Sequence, residues 1–319
     1  MRLKDKRTII TGGSGFLGVH LRQALIDHGV TSFTCLNSKS YDLRHREEIY
    51  RMMLDHEPEV VIHMAAICGG IGANMKEPGR FFYENAVMNL NMMEVARLRG
   101  VKKYVAIGSI CAFPKHCPVP FKEEDIWNGY PEETNAPYGI AKKLQLVQAQ
   151  AYREQYGFNA IYLSPVNLYG PHDNFDLQTS HVIPAIIRKC VRAKRGLDDK
   201  VVLWGDGRCT REFLYAPDCA QAILMATEKY DGSEPINIGT GGEIDIYTLA
   251  ITIAGVVGYE GEIEWDKSYP NGQPRRCLDV TKAEQYFDFV APTALMDGLQ
   301  ETVDWYLSLV DSGMVALPL

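Results

Sequence analysis

Tyr138 and Lys142 stand four residues apart in Tyr138-Gly-Ile-Ala-Lys142 and share one face of any helix that contains them. There an ammonium lowers the pKa of the neighbouring phenol and makes it a proton donor or acceptor near neutral pH. A hydroxyl such as Ser109, at the end of an earlier apolar run, can bond the same substrate oxygen. The trio is suited to moving a proton on or off a carbonyl or alcohol oxygen while hydride moves at its carbon. A Tyr–Lys pair alone also fits an ordinary amphipathic helix with Tyr inward and Lys outward. It gains force from the start of the chain.

There, Thr11-Gly-Gly-Ser-Gly-Phe-Leu-Gly18 follows the apolar run Arg7-Thr-Ile-Ile10 and precedes a helical pattern from Phe16 to His28. Gly12, Gly15 and Gly18 are spaced Gly-xx-Gly-xx-Gly at a strand-to-helix junction. Glycines there permit a tight turn and close approach of backbone to a pyrophosphate, whose charge the helix N-terminus stabilises. Phe16 and Leu17 open that helix beside the cofactor. The next apolar run, 32–36, ends in Asn37-Ser38-Lys39-Ser40, without a carboxylate to hold the ribose 2′-hydroxyl of NAD. Lys39 and the hydroxyls would instead hold a 2′-phosphate, so the expected cofactor is NADP(H). The competing reading of Lys39 is a solvated loop lysine. Asp42-Leu43 follow where such folds contact adenine.

These groups need a sheet to position them. Runs at 59–63, 103–108 and 159–163 read as third to fifth strands, with long helices over 78–99 and 135–157. The alternation predicts an α/β fold, a Rossmann-like doubly wound parallel sheet. Beyond about residue 166 the pattern loosens into Pro- and Gly-rich loops, a helix near 180–195 and short strands at 201–204, 234–238 and 261–265. We expect a dinucleotide-binding domain over 1–165, to which the chain returns around 212–240, and a smaller α/β substrate lobe over 166–319.

The 319 residues are 46% hydrophobic with a net charge of −7, enough for a sizeable core and unsuited to nonspecific nucleic-acid binding. No apolar stretch reaches the ~18 residues of a membrane span, and the N-terminus runs straight into the first strand, so we expect a cytoplasmic protein without a signal peptide. The eight cysteines are dispersed, without a Cys-xx-Cys pair, and read as reduced thiols rather than a disulfide frame or metal site.

Longer strings narrow the reading. They are Ala65-Ala-Ile-Cys-Gly-Gly-Ile-Gly-Ala-Asn74, Gly108-Ser-Ile-Cys-Ala-Phe-Pro114, Asn167-Leu-Tyr-Gly-Pro-His-Asp-Asn-Phe175, Ser180-His-Val-Ile-Pro184, and Trp204-Gly-Asp-Gly with Arg211-Glu-Phe-Leu214. With the glycine loop, Ser109 and Tyr138-xxx-Lys142, they make the chain resemble the extended short-chain dehydrogenase/reductase superfamily. Within it, the chain is similar to the GDP-L-fucose synthase family from Arg7 to about Val280. The resemblance implies NADPH-dependent 3,5-epimerisation and 4-reduction of GDP-4-keto-6-deoxy-D-mannose. It gives Cys111 and His181 the proton transfers that invert C3 and C5, with Lys142 and His181 also against the cofactor. A ketone at C4 acidifies both neighbouring C–H bonds, so a base on one face and an acid on the other suffice, and Ser109 and Tyr138 would stabilise the enolate oxygen. Without the resemblance, Cys111 reads as a small core hydrophobe and His181 as the neighbour of a helix cap. Arg188, Arg211 and Arg276 match family positions around the diphosphate and sugar, where a planar guanidinium is well suited. Asn167 and Trp204 match others in the substrate pocket.

The chain departs from that family at Ile110, where a second Ser is usual, at Ala112-Phe113 in place of Ile-Tyr, and at Ile67-Cys68 in place of Lys-Val. These positions border the sugar pocket and leave open a GDP-heptose or another 4-keto-6-deoxy sugar. Ser14 stands where some members use an Arg near the 2′-phosphate, which puts more weight on Lys39. An enzyme doing only reduction or only epimerisation, and a catalytically silent NADP sensor, are further readings; Cys111 and His181 count against a reductase alone, and Ser109, Tyr138 and Lys142 against the sensor. Finally, the 78–99 and 135–157 helices carry apolar residues on more than one face: Phe81, Phe82, Val87, Met88, Met92 and Met93, then Leu144, Leu146, Val147 and Tyr152. One face covers the sheet, and the remainder predicts a homodimer built on these two helices.

Overall fold

The structure is a computed structural model that describes every residue except Pro270, Ala316, Pro318 and Leu319. The short apolar runs become strands β1 (Thr8–Thr11), β2 (Phe33–Leu36), β3 (Val60–His63), β4 (Lys103–Ile107) and β5 (Ala160–Pro165). Strands buried on both faces show continuous apolar runs, as expected of a parallel sheet covered by helices; β1, β3, β4 and β5 are buried at every position. The later strands are β6 (Asn167–Tyr169), β7 (Val201–Trp204), β8 (Thr210–Arg211), β9 (Phe213–Tyr215), β10 (Pro235–Ile238), β11 (Ile244–Asp245), β12 (Ile263–Asp266) and β13 (Arg275–Arg276). The main sheet has six strands in the order β10-β5-β4-β3-β1-β2, all parallel. The chain thus returns at Pro235–Ile238 to complete the edge of the first sheet.

The helices are α1 (Phe16–Asp27), α2 (Arg46–His56), α3 (Ile71–Lys76), α4 (Pro78–Leu98), α5 (Ala136–Tyr156), α6 (Val182–Lys194), α7 (Ala216–Lys229), α8 (Ile246–Val257), α9 (Thr281–Phe287) and α10 (Leu295–Asp311). Helix α1 buries Gly18, Leu21, Ala24 and Leu25, the three-and-four spacing of one face. Gly157 ends α5 in the left-handed region at φ +64°, where a glycine carries no Cβ penalty. None of the described helices is long and apolar enough to cross a membrane.

Two apolar cores result. The larger surrounds the sheet, with Ile10, Ile62, Val105 and Leu163 at its centre. The smaller joins α6, α8 and α10 through Ile183, Ile187, Leu249, Ile253 and Tyr306, with Phe175 stacked on Tyr306 at 4.1 Å. Parallel pairing puts Thr11 opposite Leu36 and His63, so the strands' carboxyl ends share one edge. That edge faces the smaller core across a cleft.

Candidate active site

The cleft holds a cavity of about 940 Å³. The glycine turn forms one end. Gly12 has φ +73°, and a Cβ there would stand 2.9 Å from the Ala65 nitrogen; a Cβ on Gly18 would strike the Gly12 carbonyl. Gly13, which the Gly-xx-Gly-xx-Gly spacing does not single out, lies so close to β2 that a Cβ would come 2.7 Å from Cys35 Cβ. Helix α1 follows with Gly15 as its N-cap and no side chain capping it. The first-turn N–H groups of Phe16, Leu17 and Gly18 therefore remain for an anion. A turn that a single methyl would fill, next to an uncapped helix start on the cavity wall, fits a dinucleotide pyrophosphate.

Asn37, Ser38, Asp42 and Leu43 line the next stretch of wall. Lys39 does not: it is exposed beyond that wall, with its backbone N–H donating to Asn37 Oδ1 at 2.9 Å. Arg44, to which no sequence motif points, does line it, but its guanidinium is already engaged, 2.6 Å from the Asp42 carboxylate and 3.4 Å from Glu84. Arg44 in turn holds the Asp42 carboxyl down at about 2.

At the middle of the sheet, β4 ends in a tight approach. Gly108 lies where a Cβ would strike the Tyr162 ring, and Ser109 caps a 3₁₀ turn over Ile110–Ala112, its Oγ accepting the Cys111 N–H at 3.1 Å. Gly139 of α5 lies so close to this turn that a Cβ would strike the Cys111 carbonyl. That contact draws Tyr138 up to Ser109 and Cys111, and all three line the cavity. Lys142, one turn on, is 1% exposed; its Nζ donates to the Ile107 carbonyl at 2.8 Å and lies 5.9 Å from the Tyr138 ring centroid.

The electrostatics differ from the sequence expectation. Tyr138 is not brought down by Lys142. Burial, followed by the neighbouring Cys68, Cys111 and Tyr162, pushes its pKa well above the usual phenol value. Burial likewise lowers Lys142. Desolvation outweighs a cation whose Nζ is tied to a backbone carbonyl, so the phenol keeps its proton at neutral pH. The Tyr138 hydroxyl also meets the Cys68 sulfur at 3.4 Å. The sequence showed Cys68 only as a departure from the family pattern; nothing local links it to a tyrosine 70 positions away.

The far wall belongs to the smaller lobe. His181 is the N-cap residue of α6 and lines the cavity; its side chain is open to the cavity solvent, and desolvation by the surrounding walls lowers its pKa. Asn167 Nδ2 donates to the Glu212 carbonyl at 2.9 Å, and Trp204 stacks on Tyr269 at 4.2 Å and 1°. Arg211 and Arg276 are both buried and both line the cavity. Arg211 donates to the carbonyls of Gln273 and Asn271, at 2.6 and 3.1 Å, and burial plus repulsion from Arg276 brings its pKa to about 10. Arg188 does not join them: it lies outside the cavity lining and donates to the Phe175 carbonyl at 3.0 Å. Adjacent residues on a helix diverge by 100°, so Lys189 reaches the cavity wall in its place.

Residues 8–239 match the family model described as NAD dependent epimerase/dehydratase family. The chain belongs to the NAD dependent epimerase/dehydratase family. A GDP-L-fucose synthase of Sinorhizobium fredii is 39% identical over 308 residues, which cover 97% of this chain and 98% of that protein. Among solved structures, a GDP-6-OMe-4-keto-L-xylo-heptose reductase from C. jejuni aligns with a TM-score of 0.90 at 27% identity, over 97% of this chain and 99% of that one. A GDP-L-fucose synthetase from Naegleria fowleri bound to NADP aligns with a TM-score of 0.86 at 28% identity, over 96% and 95%. Within the epimerase/dehydratase family the chain therefore stands with the GDP-L-fucose synthases, and its α/β sheet is the Rossmann-like fold of the extended short-chain dehydrogenase/reductases.

Proposed function

We propose that the protein catalyses NADPH-dependent 3,5-epimerisation and 4-reduction of GDP-4-keto-6-deoxy-D-mannose, giving GDP-L-fucose. One observation carries this reading: a proton-donating Ser109–Tyr138–Lys142 group, a thiol and an imidazole share one cavity that begins at a dinucleotide cradle and ends at two buried arginines. The similarity to GDP-L-fucose synthases over nearly the whole chain supports it.

Gly12, Gly15, Phe16, Leu17 and Gly18 would hold the cofactor's pyrophosphate, with the exposed Lys39 side chain swinging in from outside the wall to the ribose 2′-phosphate, and Lys142 and His181 toward the reacting end. Bound NADPH supplies hydride to C4. The chain's own residues move the protons. Cys111 and His181 exchange protons at C3 and C5 while the C4 ketone persists, because that ketone is what acidifies those positions. Ser109 and Tyr138 hydrogen-bond the C4 oxygen through the enolate. When C4 is reduced, the half-buried Tyr138 phenol gives its proton to that oxygen. Lys142, fixed on the Ile107 carbonyl, supplies positive charge behind the phenolate left behind. Asn167, Trp204 and Arg211 line the part of the cavity left for the GDP-sugar.

A second reading shares the site: a GDP-linked 4-keto heptose, favoured by the heptose reductase of closely similar fold and by Ile67, Cys68 and Ile110 on the cavity wall, whereas Ala112 and Phe113 are buried in the larger core and do not reach the pocket. Incubating the purified protein with NADPH and each ketosugar, then identifying the products by NMR, separates the two; reduction of the heptose alone would overturn the fucose assignment.

The protein acts as a cytoplasmic homodimer in this reading. Of the apolar residues that the sequence places on these two helices, Phe81, Met88, Met92, Met93 and Leu146 are buried within the protomer. The exposed large apolar side chains are Phe82, Tyr83, Leu90 and Leu98 on α4 with Val147 and Tyr156 on α5, and Phe82 also lines a shallow depression with Pro78, Tyr130, Pro137 and Ile140.

A further inference from the structure

Gln273 sits at the centre of a bond pattern that the reaction as described does not use. It is 2% exposed. Its Nε2 donates to the carbonyls of Pro114 and Lys115 at 3.0 and 2.8 Å, and its Oε1 accepts Arg276 Nε at 2.8 Å. Both ends of the amide are thereby engaged, which fixes its orientation and ties the 271–274 loop and β13 to the segment just after Cys111. The fixed guanidinium then places Arg276 Nη1 3.6 Å from Cys111 Sγ. Arg276 is 6% exposed, and neither it nor Arg211 makes an ion pair with a carboxylate among the described residues. Two buried cations side by side repel one another. Negative charge on the facing sulfur relieves that repulsion.

We propose that Arg276, aimed by Gln273, is the charge partner that holds Cys111 as a thiolate, and that Arg211 alone of the two arginines serves the diphosphate. This rests on the epimerase reading of Cys111 and deepens it. An anionic sulfur takes the proton from the carbon next to the ketone; the C–H electron pair moves onto the C4 oxygen as the enolate, and the thiol so formed carries the proton. Gln273 borders the cavity, but in this scheme it acts through Arg276 and is a positioning residue. The sequence hid it because the relevant partners, Pro114 and Arg276, lie on opposite sides of it in the chain, one of them 159 positions away.

The test is the rate of Cys111 alkylation by iodoacetamide against pH in the full-length protein, followed by mass spectrometry of the Cys111 peptide so that exposed Cys68 does not confuse it. No sugar is needed, so this result stands apart from any failure of the substrate assignment. Arg276→Gln should slow alkylation at neutral pH by about tenfold or more and move the profile to higher pH. Arg276→Lys should restore part of the rate, and Gln273→Met, which keeps the buried volume but releases the guanidinium, should fall between. GDP binding measured by calorimetry should weaken far more in Arg211→Gln than in Arg276→Gln. An unchanged alkylation profile in Arg276→Gln overturns the proposal, as does equal loss of GDP binding in the two variants. Where Arg276→Gln does not fold, Gln273→Met decides: slowed alkylation supports the pairing, and an unchanged rate contradicts it.

Discussion

Tyr138 shows why spacing alone misstates a catalytic residue. Its four-residue separation from Lys142 was legible, because a helix places such pairs on one face. Its protonation was not, because burial is a property of the folded surroundings and dominates the phenol here. A neutral phenol donates, so Tyr138→Phe should lower the rate of reduction by about 10²-fold or more, while proton exchange at C3 and C5, whose enolate oxygen Tyr138 shares with Ser109, falls by much less. Cofactor oxidation and NMR-detected exchange measure the two separately; equal loss of both would make Tyr138 a structural residue. Lys39 is the complementary case. The missing carboxylate after β2 was plain in the sequence, yet the side chain lies outside the cavity wall, and Arg44 is engaged by Asp42 and Glu84. Lys39→Ala should raise the KM for NADPH well beyond any change for NADH, since only NADPH carries the 2′-phosphate. Identical changes for both cofactors would make it a solvated bystander. Cys68 and Gln273 were illegible for a shared reason: their contacts join distant segments and leave no local pattern.

At the scale of elements, the strands and long helices followed from apolar runs, and the glycine turn from its spacing. What the sequence concealed is how they are tied together. The Ala65 N–H donates to Thr11 Oγ1 at 3.3 Å, Thr11 Oγ1 meets His63 Nδ1 at 2.7 Å, His63 Nε2 meets Asn89 Oδ1 at 3.1 Å, and Asn89 Nδ2 donates to the Ala141 carbonyl at 3.0 Å. This buried chain runs from the end of β1 through β3 and α4 to α5, one residue from Lys142. With Asn89 Oδ1 accepting, Nε2 carries the imidazole proton and Nδ1 accepts from Thr11. Burial, aided by the Lys142 charge, brings His63 down to about 3. The unfolded chain takes up that proton as pH falls through ~6.5, and the folded one does not until far lower. Stability should therefore drop by up to about 1.4 kcal/mol per pH unit between those two values on account of this residue. Urea denaturation at pH 7 and pH 4 should show a smaller difference for His63→Gln than for the parent protein; parallel losses would remove His63 from the account.

The whole molecule joins two cores across a cleft, and the cleft is where the two halves of the chemistry meet. Ser109, Cys111 and Tyr138 come from the sheet side, and His181 and the arginines from the smaller lobe. The overall architecture was readable because alternating strands and helices admit few topologies. The outer surface was less so, because helical periodicity does not say which of two apolar faces a neighbouring element covers. The face left open on α4 and α5 includes Phe82, 41% exposed, and Val147, 49% exposed. Light scattering at micromolar concentration should give twice the chain mass of 35.8 kDa, and replacing Phe82 and Val147 together by Glu should give the single mass. A monomer from the unaltered protein would contradict the dimer.

The most direct test of the central claim, that one site epimerises and then reduces, is the isotopic pattern of a single turnover. The protein is incubated with NADPH and GDP-4-keto-6-deoxy-D-mannose in deuterated buffer, and the product sugar is read by NMR. The account predicts GDP-L-fucose with solvent deuterium at both C3 and C5 and protium from NADPH at C4. A reduced sugar without solvent deuterium at either C3 or C5, or an epimerised ketone that the protein never reduces, would contradict it.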